Sequence, residues 1–394
     1  MSQVNPPRGM RDFLPAEKAK REYLLTLAKE AYLNRGFQEI ETPVLEELTR
    51  LQSGQGGDNE KLVFKVQKRG DEFTQALESG DELADLGLRF DLTVPLTRFY
   101  ASNQAKLPRV FKAIQIGPVF RAERPQKGRY RQFVQCDIDI IGEQSLVAEL
   151  ELLSASLAAL DQIGVVGATI RVNHRDLLKQ SITGLGVSDS DALSAMITID
   201  KLDKIGVEGV AKELGEKFGA GVSSKAGSWL AGISDSAIPE LLKPIFDAPF
   251  SSQLRFDPTL VRGMGYYTGV IFEIEHPDSS SAIGGGGRYD GMVGRWLGRD
   301  VPAVGISLGI ERIVELVQTQ GSQKPGLVLI LEDHSGFAKA MNLQQQLLKQ
   351  YRVRLELRPK NLKQVLSELE DSFDFFAFCG ETENASELEI KPLR

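Results

Sequence analysis

Histidine and cysteine are nearly missing from this chain of 394 residues: His174, His276 and His334 are the only histidines, Cys136 and Cys379 the only cysteines. Zinc sites draw on these residue types at short, regular spacings. A resident metal centre is therefore not expected. The two cysteines lie far apart in the chain and read as small buried apolar residues. None of the histidines stands in a serine or cysteine nucleophile motif. No apolar run approaches the ~20 residues a membrane helix needs. The N-terminus, MSQVNPPRGMRDFLP, has no signal-type apolar segment, so no membrane association and a cytoplasmic address are expected. An excess of positive charge is missing too, with 47 Lys plus Arg against 54 Asp plus Glu. That argues against a general nucleic-acid binder, though not against a local basic patch.

Two phosphate-binding signatures are also absent. No G-x-x-x-x-G-K-[ST] occurs, which removes a P-loop. In RGMGYYTG the glycines Gly263, Gly265 and Gly269 are spaced one residue too long for a dinucleotide motif, and GGGGRYDG (284–291) fails the same test. Such glycines suit tight turns or close backbone approach. No fixed-period repeat is visible.

What is present is an ordinary globular composition, 42% hydrophobic and 26% charged, in a length that suits two or three domains. Residues 16–34 form a strong helix pattern with Leu24, Leu27, Ala28, Ala31 and Tyr32 near one face, ended by Gly36. FQEIETPVLE follows with strand-like alternation around Pro43. The acid-rich residues 71–86 read as a solvated excursion. GLRFDLTVPLTRF (87–99) begins as a strand and turns helical after Pro95. Residues 109–119 and 131–141 read as a hairpin. Residues 175–250 have helical character and no catalytic motif, as an inserted module would. Residues 254–310 return to strands and glycine turns, and PAVGISLGIERIVELV passes from strand to helix. After the polar linker QTQGSQKPG (318–326), GLVLIL, RVRLEL, FFAFCG and ELEIK alternate with helices as a small α/β domain.

The chemistry concentrates in residues 120–142, FRAERPQKGRYRQFVQCDIDIIG. Arg121, Arg124, Lys127, Arg129 and Arg131 crowd one loop, and guanidinium groups bind phosphates in bidentate fashion. In the strand beyond, Arg131, Phe133, Gln135, Asp137 and Asp139 share one face, while Val134, Cys136, Ile138 and Ile140 share the other. The apolar face suits a core layer. The polar face and loop together suit a cleft for an anionic nucleotide and a small polar compound; a solvated strand face beside a charged loop is the plain alternative.

These residues carry a resemblance. FRAERPQKGRYRQFVQCDIDIIG resembles motif 2 of the class II aminoacyl-tRNA synthetases, in the form found in the histidyl-tRNA synthetase family. LVRGMGYYTGVIFE (260–273) resembles that family's histidine-specific segment, usually R-G-L-D-Y-Y. VGISLGIERIV (304–314) resembles motif 3, RGFQEIETPVLE (35–46) resembles motif 1, and LRFDLT lies between them in the expected order. The resemblance implies an α+β fold, with a class II catalytic core, a mostly antiparallel sheet flanked by helices, over residues 1–320. A helical insertion at about 175–250 would contact the tRNA acceptor arm, and residues 325–394 would form an anticodon-binding-like α/β domain. The interface proline of motif 1 implies a homodimer.

For single residues the resemblance implies the following. Arg121 and Arg262 are the catalytic arginines at the α-phosphate of ATP, with Arg121 also gripping the amino-acid carboxylate. Glu123 sits near the adenine amino group, Phe133 stacks on adenine, Arg129 meets the distal phosphates and Arg312 covers the nucleotide. Asp91, Thr93 and Gln135 hold the α-amino group of histidine. Asp139 and Tyr267 bind the imidazole, with Tyr266 alongside. The implied reaction joins histidine to ATP, with Mg²⁺ on the phosphates, and passes the histidyl group from the adenylate to the 3′ end of histidine tRNA.

The pattern departs from the family in three places. Gly265 stands where R-G-L-D-Y-Y has aspartate, and Asp91 and Asp139 stand where many bacterial members carry glutamate. Two other readings compete: a synthetase-like, histidine-sensing regulatory subunit of ATP phosphoribosyltransferase, and a histidine- or RNA-binding module without chemistry. Retention of Arg121, Glu123, Arg129, Arg262, Arg312 and the C-terminal module favours the enzyme.

Overall fold

The structure, a computed structural model, describes residues 4–52, 61–125, 129–233, 236–262, 267–318 and 324–393. Gly265, Tyr266, Lys127 and most of the linker at 318–326 lie outside the described residues. The chain divides into two compact units, residues 1–13 with 21–318 and residues 14–20 with 319–394. Among the described residues no helix is long and apolar enough to cross a membrane.

In chain order, α1 (Pro15–Leu33) leads through β1 (Gln38–Glu39) and β2 (Leu45–Glu47) to α2 (Leu48–Gln52). Then come β3 (Phe64–Gln67), α3 (Gly70–Ser79), β4 (Ala84–Leu88) and α4 (Thr93–Asn103). The hairpin is β5 (Phe111–Phe120) and β6 (Gln132–Ile141), followed by α5 (Val147–Ile163) and β7 (Thr169–His174). A helical stretch holds α6 (Arg175–Gly184), α7 (Ala192–Ile199), α8 (Leu202–Phe218), α9 (Ala220–Ala231) and α10 (Lys243–Phe246). The first unit closes with β8 (Leu254–Phe256), β9 (Val270–Glu275), β10 (Gly284–Arg288), α11 (Asp290–Leu297), β11 (Ala303–Gly309) and α12 (Ile310–Leu316).

Eight strands form one sheet in the order β1-β5-β6-β11-β10-β9-β7-β8. Only its two ends are parallel, β1 with β5 and β7 with β8; the six strands between pair antiparallel, as expected for a class II core. Alternation on β6 sends Ile138 and Ile140 into a core with Leu24, Ala28 and Tyr32 of α1 and Leu152 and Leu160 of α5. The opposite face of the sheet is left for polar residues. Helices α6 to α9 enclose a core of their own, including Leu178, Ala195, Val210, Leu214 and Leu230. The second unit holds β12 (Gly326–Leu331), α13 (Phe337–Leu347), β13 (Arg352–Leu357), α14 (Leu362–Leu369), β14 (Phe375–Phe378) and β15 (Lys391–Pro392). Its sheet runs β13-β12-β14-β15 over a core of Leu327, Leu329, Leu343, Leu347 and Ala377.

Four local expectations change. The strand read over FQEIETPVLE shrinks to β1 and β2, because the carbonyls of Thr42 and Pro43 are taken by the Arg89 guanidinium, at 2.7 and 3.4 Å, and not by a neighbouring strand. The helix expected after Pro95 begins at Thr93. Asp91 Oδ1 accepts the Val94 N–H at 3.1 Å, and a proline in the first turn lacks only an N–H that has no intrahelical partner anyway. The solvated excursion at 71–86 folds as most of α3 and part of β4, with Ala76 the only buried residue of α3. The strand read at ELEIK contracts to Lys391–Pro392 behind a 3₁₀ turn at Ala385–Glu387.

One buried ion pair ties α5 to the sheet. Arg288 donates from Nε and Nη2 to the two carboxylate oxygens of Glu149, at 2.6 and 2.7 Å, and the Glu149 side chain is wholly buried. Glu149→Ala leaves the Arg288 guanidinium with only the weaker Asp290 contact at 3.3 Å as an ion pair, and is expected to lower the unfolding free energy by about 3 kcal/mol, the low end for breaking a buried pair. Urea unfolding checks this as a fall in midpoint at constant slope; an unchanged midpoint would show that the pair is dispensable.

Candidate active site

The open face of the large sheet bears a cavity of about 790 Å³. Phe133, Gln135, Asp137 and Asp139 of β6 reach it, as do Gly284, Gly285 and Gly286 of β10 and Gly305 and Ser307 of β11. Glycine makes the room. A Cβ on Gly305 would overlap the Asp139 carboxylate, and one on Gly285 would lie 2.6 Å from Arg262 Nη2.

Three buried carboxyl groups line one part of the cavity. Asp91 precedes α4 and caps its first turn through Val94, as described. Burial pushes its pKa up to about 6, against the pull of the Val94 N–H and of Arg121. Asp139 accepts the Tyr289 hydroxyl at 2.6 Å; burial pushes it up to about 7, with Tyr289 opposing and Asp91 adding to the rise. Asp137 is held well above the usual carboxylate range, first by burial and then by the neighbouring Asp139. Gln135 donates from Nε2 to Ser307 Oγ at 2.9 Å, while its buried Oε1 has no hydrogen-bond partner among the described residues.

Guanidinium groups line the other part. Arg121 donates from Nε to the Phe90 carbonyl at 3.1 Å, and its guanidinium carbon lies 5.0 Å from the centre of the Phe133 ring. Arg262 pairs with Glu273 at 2.6 Å. The other Glu273 oxygen meets Arg171 at 3.2 Å, and Arg171 also holds Glu275 and the buried Asp257. Arg262 is thus set by a chain of ion pairs that runs back into the sheet. Arg312 donates to the Ala282 carbonyl; its pKa is lowered by burial and then by Arg129, Arg262 and Arg121. Burial and three neighbouring cations thus disfavour the charge on Arg312, the electrostatic setting in which an anion is welcome. Glu311, beside Arg312 on α12, accepts the Val134 N–H at 2.9 Å.

Asp91, Thr93, Arg121, Glu123, Arg129, Phe133, Gln135, Asp139, Arg262, Tyr267 and Arg312 all line this one cavity. They come from chain positions more than two hundred residues apart. Glu123 and Arg129 are exposed. Sequence reasoning gave no role to Asp137, Ser307, Tyr289 or Arg175, nor to Leu193, Met196, Ile197 and Asp200 at α7, all of which line the cavity. Strand alternation already placed Asp137 on the polar face; nothing local marks the α7 residues.

The family model described as Histidyl-tRNA synthetase matches residues 9–224 and 235–313. The chain belongs to the histidyl-tRNA synthetase family. Histidine–tRNA ligase of Leifsonia xyli subsp. xyli is 50% identical, with 100% of this chain and 99% of that protein covered. The probable histidine–tRNA ligase of Tropheryma whipplei strain Twist is 44% identical over 84% of each. Among solved structures, histidyl-tRNA synthetase from Nostoc sp. PCC 7120 superposes with a TM-score of 0.72 at 23% identity, covering 99% of this chain and 95% of that one. A Bacillus halodurans C protein described as an ATP phosphoribosyltransferase regulatory subunit/histidyl-tRNA synthetase gives 0.72 at 21% identity, over 93% and 96%. Both structures share the fold. The full-length identity to a ligase supports the histidyl-tRNA synthetase family's enzyme, a histidine–tRNA ligase, over its regulatory relative.

Proposed function

We propose that the cavity activates histidine with ATP, the carboxylate part taking the amino acid and the guanidinium part the nucleotide. The observation that carries this reading is the position of Arg121. It acts electrostatically on Asp91 and Asp137 in one cluster and on Arg312 in the other. A group at that junction can hold both the amino-acid carboxylate and the α-phosphate, the two reacting partners.

Asp91, Thr93 and Gln135 receive the α-amino group; Asp139 and Tyr267, with Tyr266, receive the imidazole. A site built from polar partners rejects analogues that leave them unpaired. Phe133 stacks on adenine with Glu123 at its amino group, Arg129 takes the distal phosphates, and Arg312 closes over the nucleotide. A histidine carboxylate oxygen then bonds to the α-phosphorus while the bond to the bridging oxygen breaks, and its electron pair leaves with pyrophosphate. No protein nucleophile is required. Alignment and neutralisation by Arg121 and Arg262 supply the catalysis. The terminal ribose hydroxyl of the tRNA then attacks the adenylate carbonyl and releases AMP. Mg²⁺ would enter on the ATP phosphates and add to charge neutralisation there. Among the described residues no group of three or more His, Cys, Asp or Glu side chains is placed to hold a metal ion.

Residues 325–394 form the anticodon-binding-like domain in this reading, though it holds 9 Lys plus Arg against 11 Asp plus Glu. The working particle is a cytoplasmic homodimer joined through motif 1 around Pro43.

Histidine-dependent ATP–pyrophosphate exchange tests the chemistry. Wild type is expected to exchange only with histidine present, and Arg262→Ala to lose at least about 100-fold in rate, the size of one electrostatic contact to the transition state. Histidine binding without exchange would return the protein to the regulatory reading. Removal of residues 325–394 is expected to weaken tRNA affinity and charging while sparing exchange; unchanged charging would sink the anticodon role. Light scattering should give twice the chain mass, and a monomer at working concentration would count against the dimer.

A further inference from the structure

Asp137 has no part in the roles assigned above, yet it sits between Gln135 and Asp139 on the cavity face of β6 and is 4% exposed. Its neighbours across the sheet are Gln115 on β5 and Ser307 on β11. Gln115 is engaged elsewhere, accepting from Thr42 Oγ1 at 3.1 Å and donating to the Leu92 carbonyl at 3.0 Å, with no bond to Asp137. Ser307 Oγ receives the Gln135 amide, which leaves its own hydrogen for Asp137. Gln135 Nε2 lies 3.4 Å from each Asp137 oxygen, long for a bond to a carboxylate. No ion pair within 4.0 Å reaches Asp137 among the described residues. Next to it, Gln135 Oε1 is buried without any donor among the described residues, in a residue 8% exposed. Two adjacent acceptors, one of them a carboxyl group that Arg121 reaches only at longer range than an ion pair, are unfavourable in an apolar interior.

We infer that Asp137 binds the α-ammonium group of the amino acid, with Gln135 Oε1 taking a second N–H of the same group. This rests on the reading of the cavity as the histidine site. An ammonium fits where an imidazole does not. It offers three N–H donors and a full charge, whereas a neutral ring offers one N–H, and the ring already has Asp139 and Tyr267. Burial and the proximity of Asp139 and Asp91 hold the Asp137 carboxyl well above its ordinary range, and a cation bound beside it would offset both. Asp137 is thus a residue that separates amino acids from analogues without an α-amino group.

The test is calorimetric binding of three probes to the full chain and to Asp137→Asn. Histidine and histidinol carry the ammonium; 3-(imidazol-4-yl)propionate carries the ring and carboxylate without it. The variant is expected to bind histidine and histidinol at least about 10-fold more weakly, as loss of a charged hydrogen bond implies, and the propionate within about 3-fold of wild type. Equal weakening of all three, or of none, overturns the inference. Thermal unfolding of the empty proteins adds a second readout. Replacing a carboxyl whose charged form burial and Asp139 disfavour should leave Asp137→Asn at least as stable as wild type, and a large loss of stability would make Asp137 a structural residue instead. If Asp137→Asn fails to accumulate, Asp137→Ser carries the same comparison. A wild-type protein that binds none of the probes would instead overturn the histidine-site reading beneath the inference.

Discussion

Strand β6 has to keep two incompatible faces apart. Cys136, Ile138 and Ile140 face the helices that close the sheet, and Gln135, Asp137 and Asp139 face the cavity. A slip of one residue in pairing would exchange the faces, driving carboxyl groups under α1 and α5 and isoleucines into the site. The register is held on both sides, by β5 from Gln132 to Ile141 and by β11 from Gln135 to Ile141. The apolar core and the chemistry of the cleft are therefore specified by the same pairings.

The same constraint explains the electrostatics. Three carboxyl groups on one wall and several guanidinium groups on the other cannot all be satisfied by the protein's own groups. The protein restrains them locally: Asp139 by the Tyr289 hydroxyl, Asp91 by a helix N–H, Arg262 by Glu273 and the Arg171 chain behind it. What is left over, a partnerless amide oxygen and arginines crowding one another, is what a zwitterionic amino acid and a polyphosphate complement. Natural sites retain such frustration because ligand binding relieves it.

Much of this architecture can be read from the chain. The α1 face, the hairpin and the alternation of β6 follow from local periodicity. The described site residues collect in one cavity because β6, the helix starts of α4 and α12 and the loops beside them all open on the same face of the sheet. Other features depend on distant partners. The strand around Pro43 is cut short by Arg89, which lies 46 residues on. Helix α4 starts ahead of Pro95 because Asp91 caps it, a single contact that helix propensity does not encode. The wall formed by Leu193, Met196 and Ile197 is contributed by the helical stretch, whose sequence carries only the pattern of its own core.

Strand β10 begins with four consecutive glycines, Gly284 to Gly287, in the middle of the large sheet. Glycine inside a strand costs roughly 0.5–1 kcal/mol relative to alanine, so the run gives up about 2–4 kcal/mol of intrinsic stability. A thermostability campaign guided by propensity would select Gly→Ala at these positions early. Each such methyl would be placed against Arg262, Tyr267, Ile274 or the β11 backbone, where there is no room for it. The heat resistance sought there would be taken from the volume of the cleft, so stabilising changes belong in the α1–α5 core and in the helical stretch instead.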